Sequence, residues 1–221
     1  KIIRLHTFDG CTGLTSITIP NSVTHIFDYA FHGCTGLMSI VIPDSVTRIG
    51  DYSFHNTAWY ENQPNGLIYA GKVAYNYKGT MPENTSIVLE EGTLGIAGHA
   101  FYYCRGLTSV TIPDSVTNID GNLGVYSIYC NIKTYALEYA VNSKTYFTIL
   151  NPILGDVNLD GEVNIKDATK LQELISDPQR SGNLYTYMRN FDDVADLNSD
   201  NSTDVSDVTL IQKLLAGYAL K

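Results

Sequence analysis

The sequence predicts two domains, a β-rich solenoid followed by a small all-α domain. Three observations in the 221-residue chain predict this arrangement. Apolar residues recur every 23 residues through the first two thirds, a 12-residue pattern of Asp and Asn occurs twice in the last third, and the charge differs between these parts. Residues 1–151 carry a net charge of −3, whereas the much shorter stretch 152–221 carries −6. We place the boundary at Asn151-Pro152, because proline disfavours helix at the residue before it.

The overall composition excludes two classes of partner. A formal net charge of −9 and a pI near 4.8, without a basic run, argue against binding to a phosphate backbone, so we expect no nucleic-acid partner. We also expect no membrane span, because no apolar stretch reaches the ~18 to 20 residues that a bilayer requires. With 44% hydrophobic residues, the chain can bury a sizeable core.

An internal repeat dominates the first domain. Phe8, Phe31 and Phe54 are each 23 residues apart, and Phe101 follows after 47, which is two repeats and one residue. Each copy contains short alternating segments separated by Pro, Gly and Asp or Asn, a pattern typical of β-strands joined by turns. Such a unit buries its apolar face only against copies of itself, which predicts a solenoid.

One repeat carries an insertion. Residues 66–79, GLIYAGKVAYNYKG, predict a β-hairpin that turns near Ala70-Gly71. After the last repeat, residues 134–143 predict a short helix and residues 144–150 a final strand, which together would cap the stack. At the other end Lys1 falls inside a repeat and no polar cap precedes it, so we expect the chain to be part of a longer protein.

The repeats resemble the leucine-rich repeat of the BspA (Treponema) type, most closely at 42–54 and 112–120. The resemblance covers most of residues 1–150 and implies a leucine-rich-repeat solenoid with a hairpin insert and a C-terminal cap. The outward positions of the repeat strands are small or neutral, which favours contact with proteins over charged ligands. These positions are Thr15, Thr18, Met38, Val41, Thr85, Val88, Thr108 and Thr111.

Cysteine and histidine also recur at the repeat spacing. Cys11, Cys34 and Cys104 share one repeat position, which predicts a column of buried thiols, with a Cys11–Cys34 disulfide or a metal site as alternatives. His32 and His55 follow the repeated Phe and are expected to be solvated, without an acidic partner at repeat spacing. The chain lacks the GxSxG, HExxH and P-loop motifs, so we interpret it as noncatalytic.

The second domain contains two candidate calcium loops. Residues 156–167, DVNLDGEVNIKD, have oxygen-bearing side chains at loop positions 1, 3, 5, 9 and 12 and glycine at position 6, the spacing of a calcium-binding loop. Residues 196–207 repeat the pattern, with Asn201 in place of the glycine, and asparagine enters the left-handed region more readily than most residues. A solvated Asp and Asn turn is the simpler alternative for each loop. The predicted ligands of two calcium ions are Asp156, Asn158, Asp160, Asn164 and Asp167 with the Glu162 carbonyl, and Asp196, Asn198, Asp200, Asp204 and Asp207 with the Ser202 carbonyl.

A helical apolar pattern follows each loop, and Pro178 is expected to stop the first helix. Residues 151–154 predict a linker rather than an entering helix, so the first loop is not a complete helix-loop-helix hand. Between the loops, Asn183 to Phe191 predict a middle helix. The stripe predicted to be buried comprises Ala168, Leu171, Leu174 and Ile175, matched by Val208, Ile211, Leu214 and Leu215.

The duplicated loop and helix resemble the dockerin module of cellulosomes over residues 155–218, and we assign the domain to 155–221. Dockerins fold with calcium and bind cohesin modules on scaffoldin proteins. The resemblance therefore implies a secreted, extracellular protein attached to the cell-surface cellulosome through cohesin. Carried over from the family, the cohesin-facing residues are Ile165, Lys166, Gln172, Glu173, Asp177, Val205, Ser206, Gln212, Lys213 and Gly217.

The sequence therefore predicts a noncatalytic cellulosome component whose dockerin displays a leucine-rich-repeat interaction module. An alternative is a carbohydrate-binding or adhesion subunit, because aromatic residues that could stack on sugar rings cluster near the hairpin. These are Trp59, Tyr60, Tyr69, Tyr75 and Tyr77, and packing of the hairpin is the simpler explanation for them. A calcium sensor is disfavoured by the missing entering helix.

Overall fold

The protein was analysed as a computed structural model, which describes residues 1–177 and 182–217. The chain forms two compact units, Lys1–Tyr126 and Ser127–Lys221. None of the helices in the described ranges is long and apolar enough to cross a membrane.

The first unit is a β-solenoid. Strands 23 residues apart pair in parallel, so that Ile26 pairs with Ile3 on one side and with Ile49 on the other. Outside the strands, the Phe31 N–H donates to the Ser53 carbonyl of the next turn at 2.8 Å. The predicted stack of short β-turns is confirmed. Its strands are β1 (Ile2–Ile3), β2 (Ser16–Thr18), β3 (His25–Ile26), β4 (Ser39–Val41), β5 (Arg48–Ile49), β6 (Gly66–Ala70), β7 (Val73–Lys78), β8 (Thr85–Val88), β9 (Gly95–Ile96), β10 (Leu107–Thr111) and β11 (Asn118–Ile119), and its helix is α1 (Ala58–Glu61).

A column of phenylalanine rings forms the centre of the solenoid core. Phe8 stacks on Phe31 and Phe31 on Phe54, with ring centroids 5.0 and 5.6 Å apart. Phe31 and Phe54 are fully buried, whereas Phe8, in the first turn, is half-buried. Phe31 is thus covered by the turns before and after it, which is the burial that the repeat predicts.

The hairpin insert joins the sheet of the solenoid. Strands β6 and β7 pair in antiparallel fashion up to Ala70 and Val73, which confirms the predicted turn at Gly71. Strand β7 also pairs in parallel with β9, through Val73 and Gly95. The three-stranded sheet β1-β3-β5 therefore ends at β5, and a separate sheet follows in the order β11-β9-β7-β6.

The second unit contains β12 (Ser127–Cys130), α2 (Tyr135–Ser143), β13 (Tyr146–Ile149), α3 (Ile165–Ser176), α4 (Gly182–Tyr187), α5 (Asp192–Ala195) and α6 (Val205–Leu215). The predicted cap helix and final strand are present as α2 and β13, and β13 pairs in parallel with β12. The helix stop predicted at Pro178 and the domain end predicted at Lys221 lie outside the described residues.

The predicted middle helix was placed wrongly at its C-terminal end. Helix α4 ends at Tyr187, and the next residue, Met188, forms a parallel bridge with Phe147 of β13. The side chain of Asn190 then binds the backbone of Ile149 twice, accepting from its N–H at 3.0 Å and donating to its carbonyl at 2.9 Å. Pairing with the edge of β13 thus replaces the helical hydrogen bonds that the local sequence favours.

We expect Asn190→Ala to destabilise the second unit by about 1 to 3 kcal/mol, because Ile149 is buried and would lose a partner for both backbone groups. The measurement is thermal unfolding of the full chain followed by helical circular dichroism. Asn142→Ala, at an exposed position of α2, is the matched control and should change stability by less than about 0.5 kcal/mol. Equal effects of the two substitutions would contradict a clamping role for Asn190.

Candidate functional site

The first predicted calcium loop folds around its first and last carboxylates. Asp156 accepts the N–H of Asp160 at 3.0 Å through one oxygen and the N–H of Gly161 at 2.9 Å through the other. Asp167 accepts the Asn158 N–H at 3.0 Å. The two ends of the loop are therefore both tied to its middle.

The second loop repeats these hydrogen bonds at the same offsets. Asp196 accepts the N–H of Asp200 at 3.2 Å and of Asn201 at 2.9 Å. Asp207 accepts the Asn198 N–H at 3.4 Å. Two segments forty residues apart thus adopt the same carboxylate-centred loop.

The backbone conformation is duplicated as well. Position 4 is left-handed in both loops, with φ of 60° at Leu159 and 57° at Ser199. Position 6 is also left-handed, with φ of 81° at Gly161 and 65° at Asn201. Asn201 therefore takes the conformation expected of it as a replacement for glycine.

The end of each loop is also the start of a helix. Asn164 and Asp167 form a capping box at the N-terminus of α3, and Asp204 and Asp207 form the same box at α6. In each box both side chains accept backbone N–H groups that the first helical turn leaves unpaired. Any ion that orders the loop would thus also order the first turn of its helix.

The chemistry of the donor set suits a hard cation. Asp156, Asp167 and Asp207 are fully buried, and none of them forms a salt bridge with a Lys, Arg or His in the described part of the chain. Burial raises the pKa of the Asp156 carboxyl, and the neighbouring Asp167 carboxylate adds to this increase. Buried carboxylates require a compensating charge, and six to eight oxygens are the ligands that Ca²⁺ prefers.

The side chains do not converge on a single point within either loop. In the described residues no group of three or more His, Cys, Asp or Glu side chains is arranged to hold a metal ion. The carboxylates instead bind backbone N–H groups, including those of Glu162 and Ser202, which donate to Asp160 and Asp200 at 3.0 and 2.9 Å. The assignment of calcium to these loops stays a prediction.

All ten residues predicted to face cohesin are exposed on or beside α3 and α6. Ile165 and Val205, the first residues of the two helices, expose 61% and 65% of their surface although both are apolar. The two helices differ in charge, because Lys170 pairs with Glu173 at 3.6 Å in α3, whereas Lys213 lies in the last turn of α6.

Helices α3 and α6 pack against each other through the first half of the predicted stripe. Ala168, Leu171, Val208 and Ile211 are buried as predicted. The second half was predicted wrongly: Leu174 and Ile175 are half-buried, and Leu214 and Leu215 are exposed. The helices therefore bury only their N-terminal turns, next to the loops.

The predicted outward face of the solenoid strands is exposed in its apolar members. Met38, just before β4, and Val41 on β4 expose 64% and 56% of their surface, and Val88 on β8 exposes 74%. Thr15 and Thr18 are exposed as well, whereas Thr85, Thr108 and Thr111 are half-buried. Uncharged side chains thus line the accessible side of these strands, as the repeat pattern predicted.

The hairpin aromatics have packing roles. The Trp59 ring contacts the edge of Phe54 at 5.2 Å, the Tyr60 hydroxyl donates to Asn76 at 2.6 Å, and the Tyr69 hydroxyl accepts the Glu90 N–H at 3.0 Å. The remaining two aromatic residues of the predicted sugar-binding set, Tyr75 and Tyr77, are buried and half-buried, and burial raises the pKa of the Tyr75 hydroxyl. Four of these five residues are half-buried and Tyr75 is buried, and three of them, Tyr60, Tyr75 and Tyr77, line a cavity of about 260 Å³.

The cysteine column was predicted only in part. Cys34 is buried, but Cys104 is half-buried and Cys11 is exposed. These thiols are free, and the Cys34 thiol donates to the Phe8 carbonyl at 2.9 Å. Burial raises the pKa of the Cys34 thiol, which favours its unreactive neutral form.

The histidines differ from prediction in two respects, the first being that His32 and His55 are half-buried rather than solvated. His32 stacks on His55 with ring centroids 6.0 Å apart, as expected of repeat neighbours. However, His32 has an acidic partner at the repeat spacing, because its Nδ1 lies 3.0 Å from Asp9, the equivalent residue of the preceding turn. This hydrogen bond and a second one from His6 lower the pKa of Asp9.

Comparisons with known proteins bear mainly on the first unit. A family model described as BspA type leucine rich repeat region (6 copies) matches residues 1–123 and 71–148. Among solved structures, the T. pallidum leucine rich repeat protein is 21% identical, with a TM-score of 0.32, and the match covers 57% of this chain and 64% of that one. A search of curated proteins found no match. Residues 149–221 lie outside the ranges of the family model.

Proposed function

This chain belongs to the BspA-type leucine-rich repeat family, and from that premise we propose that it is a noncatalytic component of a cellulosome. In this proposal, residues 155–221 are a dockerin that binds a cohesin module of a scaffoldin, and the solenoid is the interaction module that the dockerin displays. The protein would then be secreted and held at the cell surface through cohesin.

The observation that carries the proposal is the duplication of the loop and helix in the second unit. Loop spacing, hydrogen bonds, left-handed positions and capping boxes recur in both copies. A single Asp-rich turn is common in proteins, but a loop that opens a helix and recurs with all these features is typical of a duplicated calcium module.

Calcium would be held by the twelve predicted ligand residues, six in each loop. When bound, each ion would supply two positive charges to carboxylates that no described cationic side chain neutralises. The residues of the chain then orient the helices: the capping boxes fix the first turns of α3 and α6, and the buried halves of these helices hold them together.

The exposed sides of α3 and α6 support a protein partner. Ile165 and Val205 are equivalent apolar anchors that face solvent at matching positions. The charged neighbours differ, because a half-turn of the module would exchange Lys166 for Ser206 and Glu173 for Lys213. A partner with charges complementary to one face would meet a lost or reversed charge on the other, so we expect a single binding orientation, although many dockerins bind in two.

The test is binding of the immobilised full chain to a panel of recombinant cohesin modules, with calcium and with EDTA. We expect calcium-dependent capture of at least one cohesin. Absence of binding to every cohesin, or binding that EDTA leaves unchanged, would overturn the proposed function.

For the cohesin that binds, calorimetry compares the α3 face, with Lys166 and Glu173, and the α6 face, with Ser206 and Lys213. Each face is altered by a pair of charge substitutions. The first is Lys166→Glu with Glu173→Lys, and the second is Ser206→Glu with Lys213→Glu. One pair should weaken binding about 100-fold or more, because like charges at an interface are strongly unfavourable, while the other pair leaves it nearly unchanged. Tight binding by both pairs, with loss only when they are combined, would instead show two usable faces.

For the solenoid we propose protein contact through the exposed strand face of Met38, Val41 and Val88. This surface is uncharged and accessible, which suits a partner protein more than an ionic ligand. No motif of the chain supports catalysis, and the proposed role needs none.

A further inference from the structure

A groove opens on a different row of the solenoid from the exposed strand face. We call it the Asp51 groove, and its cavity of about 420 Å³ is lined by Asp28, Arg48, Asp51, His99 and Asp120. A cavity of this size is in the range of small-ligand sites.

The repeat explains why the groove exists. Asp28 and Asp51 occupy a repeat position at which the later turns have Gly98 and Gly121. A Cβ at Gly98 would lie 3.3 Å from the Asp51 carboxylate, so a side chain there would occupy the space beside it. Glycine thus stands in place of aspartate in two consecutive turns, so no side chain from these positions fills the floor of the groove.

The polar walls of the groove hold three carboxylates and one Arg, so the groove has a net negative charge. Arg48 binds Asp120 through two bonds of 2.6 and 3.2 Å, which span 72 residues of sequence. The Nδ1 of His99 lies 3.3 Å from an Asp51 carboxylate oxygen, yet this buried nitrogen has no hydrogen-bond partner. Asp28 accepts the Asp51 N–H at 2.8 Å. These side chains are therefore oriented, and the Nδ1 of His99 is closed off from solvent.

A chain of aromatic rings borders the groove. A second cavity of about 260 Å³ shares Asp51, His99 and Tyr102 with the first and adds Tyr103. Ring centroids lie 4.5 Å apart between His99 and Tyr102 and 4.2 Å apart between Tyr102 and Tyr103. Tyr102 and Tyr103 are exposed, at 49% and 81%, so that their rings are accessible to a ligand.

Tyr103 holds an unfavourable backbone conformation. Its φ is 67°, at the repeat position where Gly10 and Gly33 have a φ of 68°. Glycine takes this conformation freely, whereas a bulky residue is strained in it, and strain of this kind concentrates at binding sites. The backbone of Tyr103 is strained, yet its side chain is almost fully exposed and contributes little to the core. This combination indicates a role on the surface.

From these features we propose that the Asp51 groove binds a neutral glycan chain. The carboxylates of Asp28, Asp51 and Asp120 disfavour an anionic ligand. A pyranose ring has an apolar C–H face for Tyr102 and Tyr103 and hydroxyl groups that can donate to the Asp51 carboxylate. The inference does not depend on the cohesin proposal, because it concerns only the first unit.

The test is calorimetry of the full chain with neutral cello-, xylo- and manno-oligosaccharides, with polygalacturonate as the anionic probe and a lysine-rich peptide as the cationic one. At least one neutral oligosaccharide should bind, in calcium and in EDTA alike. Binding of only a charged probe, or of none of the probes, would overturn the proposal.

Substitutions then locate the site. Tyr103→Gly should weaken glycan binding at least tenfold while leaving the melting temperature unchanged or higher, because it relieves the strained backbone. Tyr126→Gly is the control for loss of an exposed tyrosine, since Tyr126 is exposed and does not line the groove; this variant should bind the glycan normally. Tyr102→Leu is a second groove variant, at a residue without a left-handed backbone. It should also lower the affinity for the glycan at least tenfold. Unchanged affinity in both groove variants would show that the glycan binds elsewhere and overturn the proposal.

Discussion

EDTA is expected to unfold the loop and helix segment of the second unit while the solenoid stays folded. Seven aspartates predicted as ligands crowd the two loops, and the segment from residue 152 onward has a net charge of −6, which two calcium ions would reduce by four. At a calcium concentration about 1,000 times the Kd, binding adds about 4 kcal/mol per site, against a typical domain stability of about 5 to 15 kcal/mol. The carboxylates are Asp156, Asp160, Asp167, Asp196, Asp200, Asp204 and Asp207.

The full chain allows the two units to be followed separately. Trp59 is the only tryptophan and lies in the solenoid, so its fluorescence reports the first unit. The longer helices, from α2 onward, belong to the second unit, so circular dichroism at the helical band reports that unit. We expect EDTA to abolish most of the helical signal without changing the melting curve of Trp59.

Loop variants make the calcium prediction specific. Asp156→Ala and Asp196→Ala should each lower the calcium affinity of one loop, as measured by calcium titration of the helical signal. Asp177→Asn removes an exposed carboxylate outside both loops and is the control for the loss of one charge. A helical spectrum that is the same in EDTA and in calcium would contradict the prediction.

Repetition made the solenoid predictable. Every copy places the same residue type in the same environment, so Phe31 and Phe54 could be assigned to the core without knowledge of the long-range contacts. The loops were predictable for a related reason, since Gly161 and Asn201 occupy equivalent positions in two copies of one local pattern. In both cases the information is local and occurs more than once.

The features that the sequence did not reveal depend on departures from repetition. The Asp51 groove requires Gly98, where the repeat would otherwise place an aspartate. The hairpin strand β7 pairs with β9, so the sheet that contains β5 ends there and a new sheet begins. The end of α4 was predicted wrongly because Met188 pairs with Phe147, 41 residues away in sequence. The Asp9 and His32 pair could have been found, because the two residues are 23 positions apart.

Phe31→Ala should destabilise the solenoid by about 3 to 5 kcal/mol, the largest effect we expect from one substitution in this unit. Phe31 is fully buried and stacks on a ring on each side, at 5.0 Å from Phe8 and 5.6 Å from Phe54. The turns above and below are fixed by backbone hydrogen bonds, so they cannot collapse into the cavity that the substitution leaves. Urea unfolding followed by Trp59 fluorescence measures the loss directly, because Trp59 contacts Phe54 at the end of this column.

Two phenylalanines of the same unit serve as graded controls for the Phe31 substitution. Phe8→Ala should have a smaller effect, since Phe8 is half-buried and has a ring neighbour on one side. Phe27→Ala should change the free energy of unfolding least, because Phe27 lies outside the column and exposes 40% of its surface. The dependence of the free energy on urea should keep its slope in all three variants, because each unfolds from the same compact state. An effect of Phe31→Ala no larger than that of Phe27→Ala would mean that the ring column does not form the core, and stability would then have to come from the backbone ladder between turns.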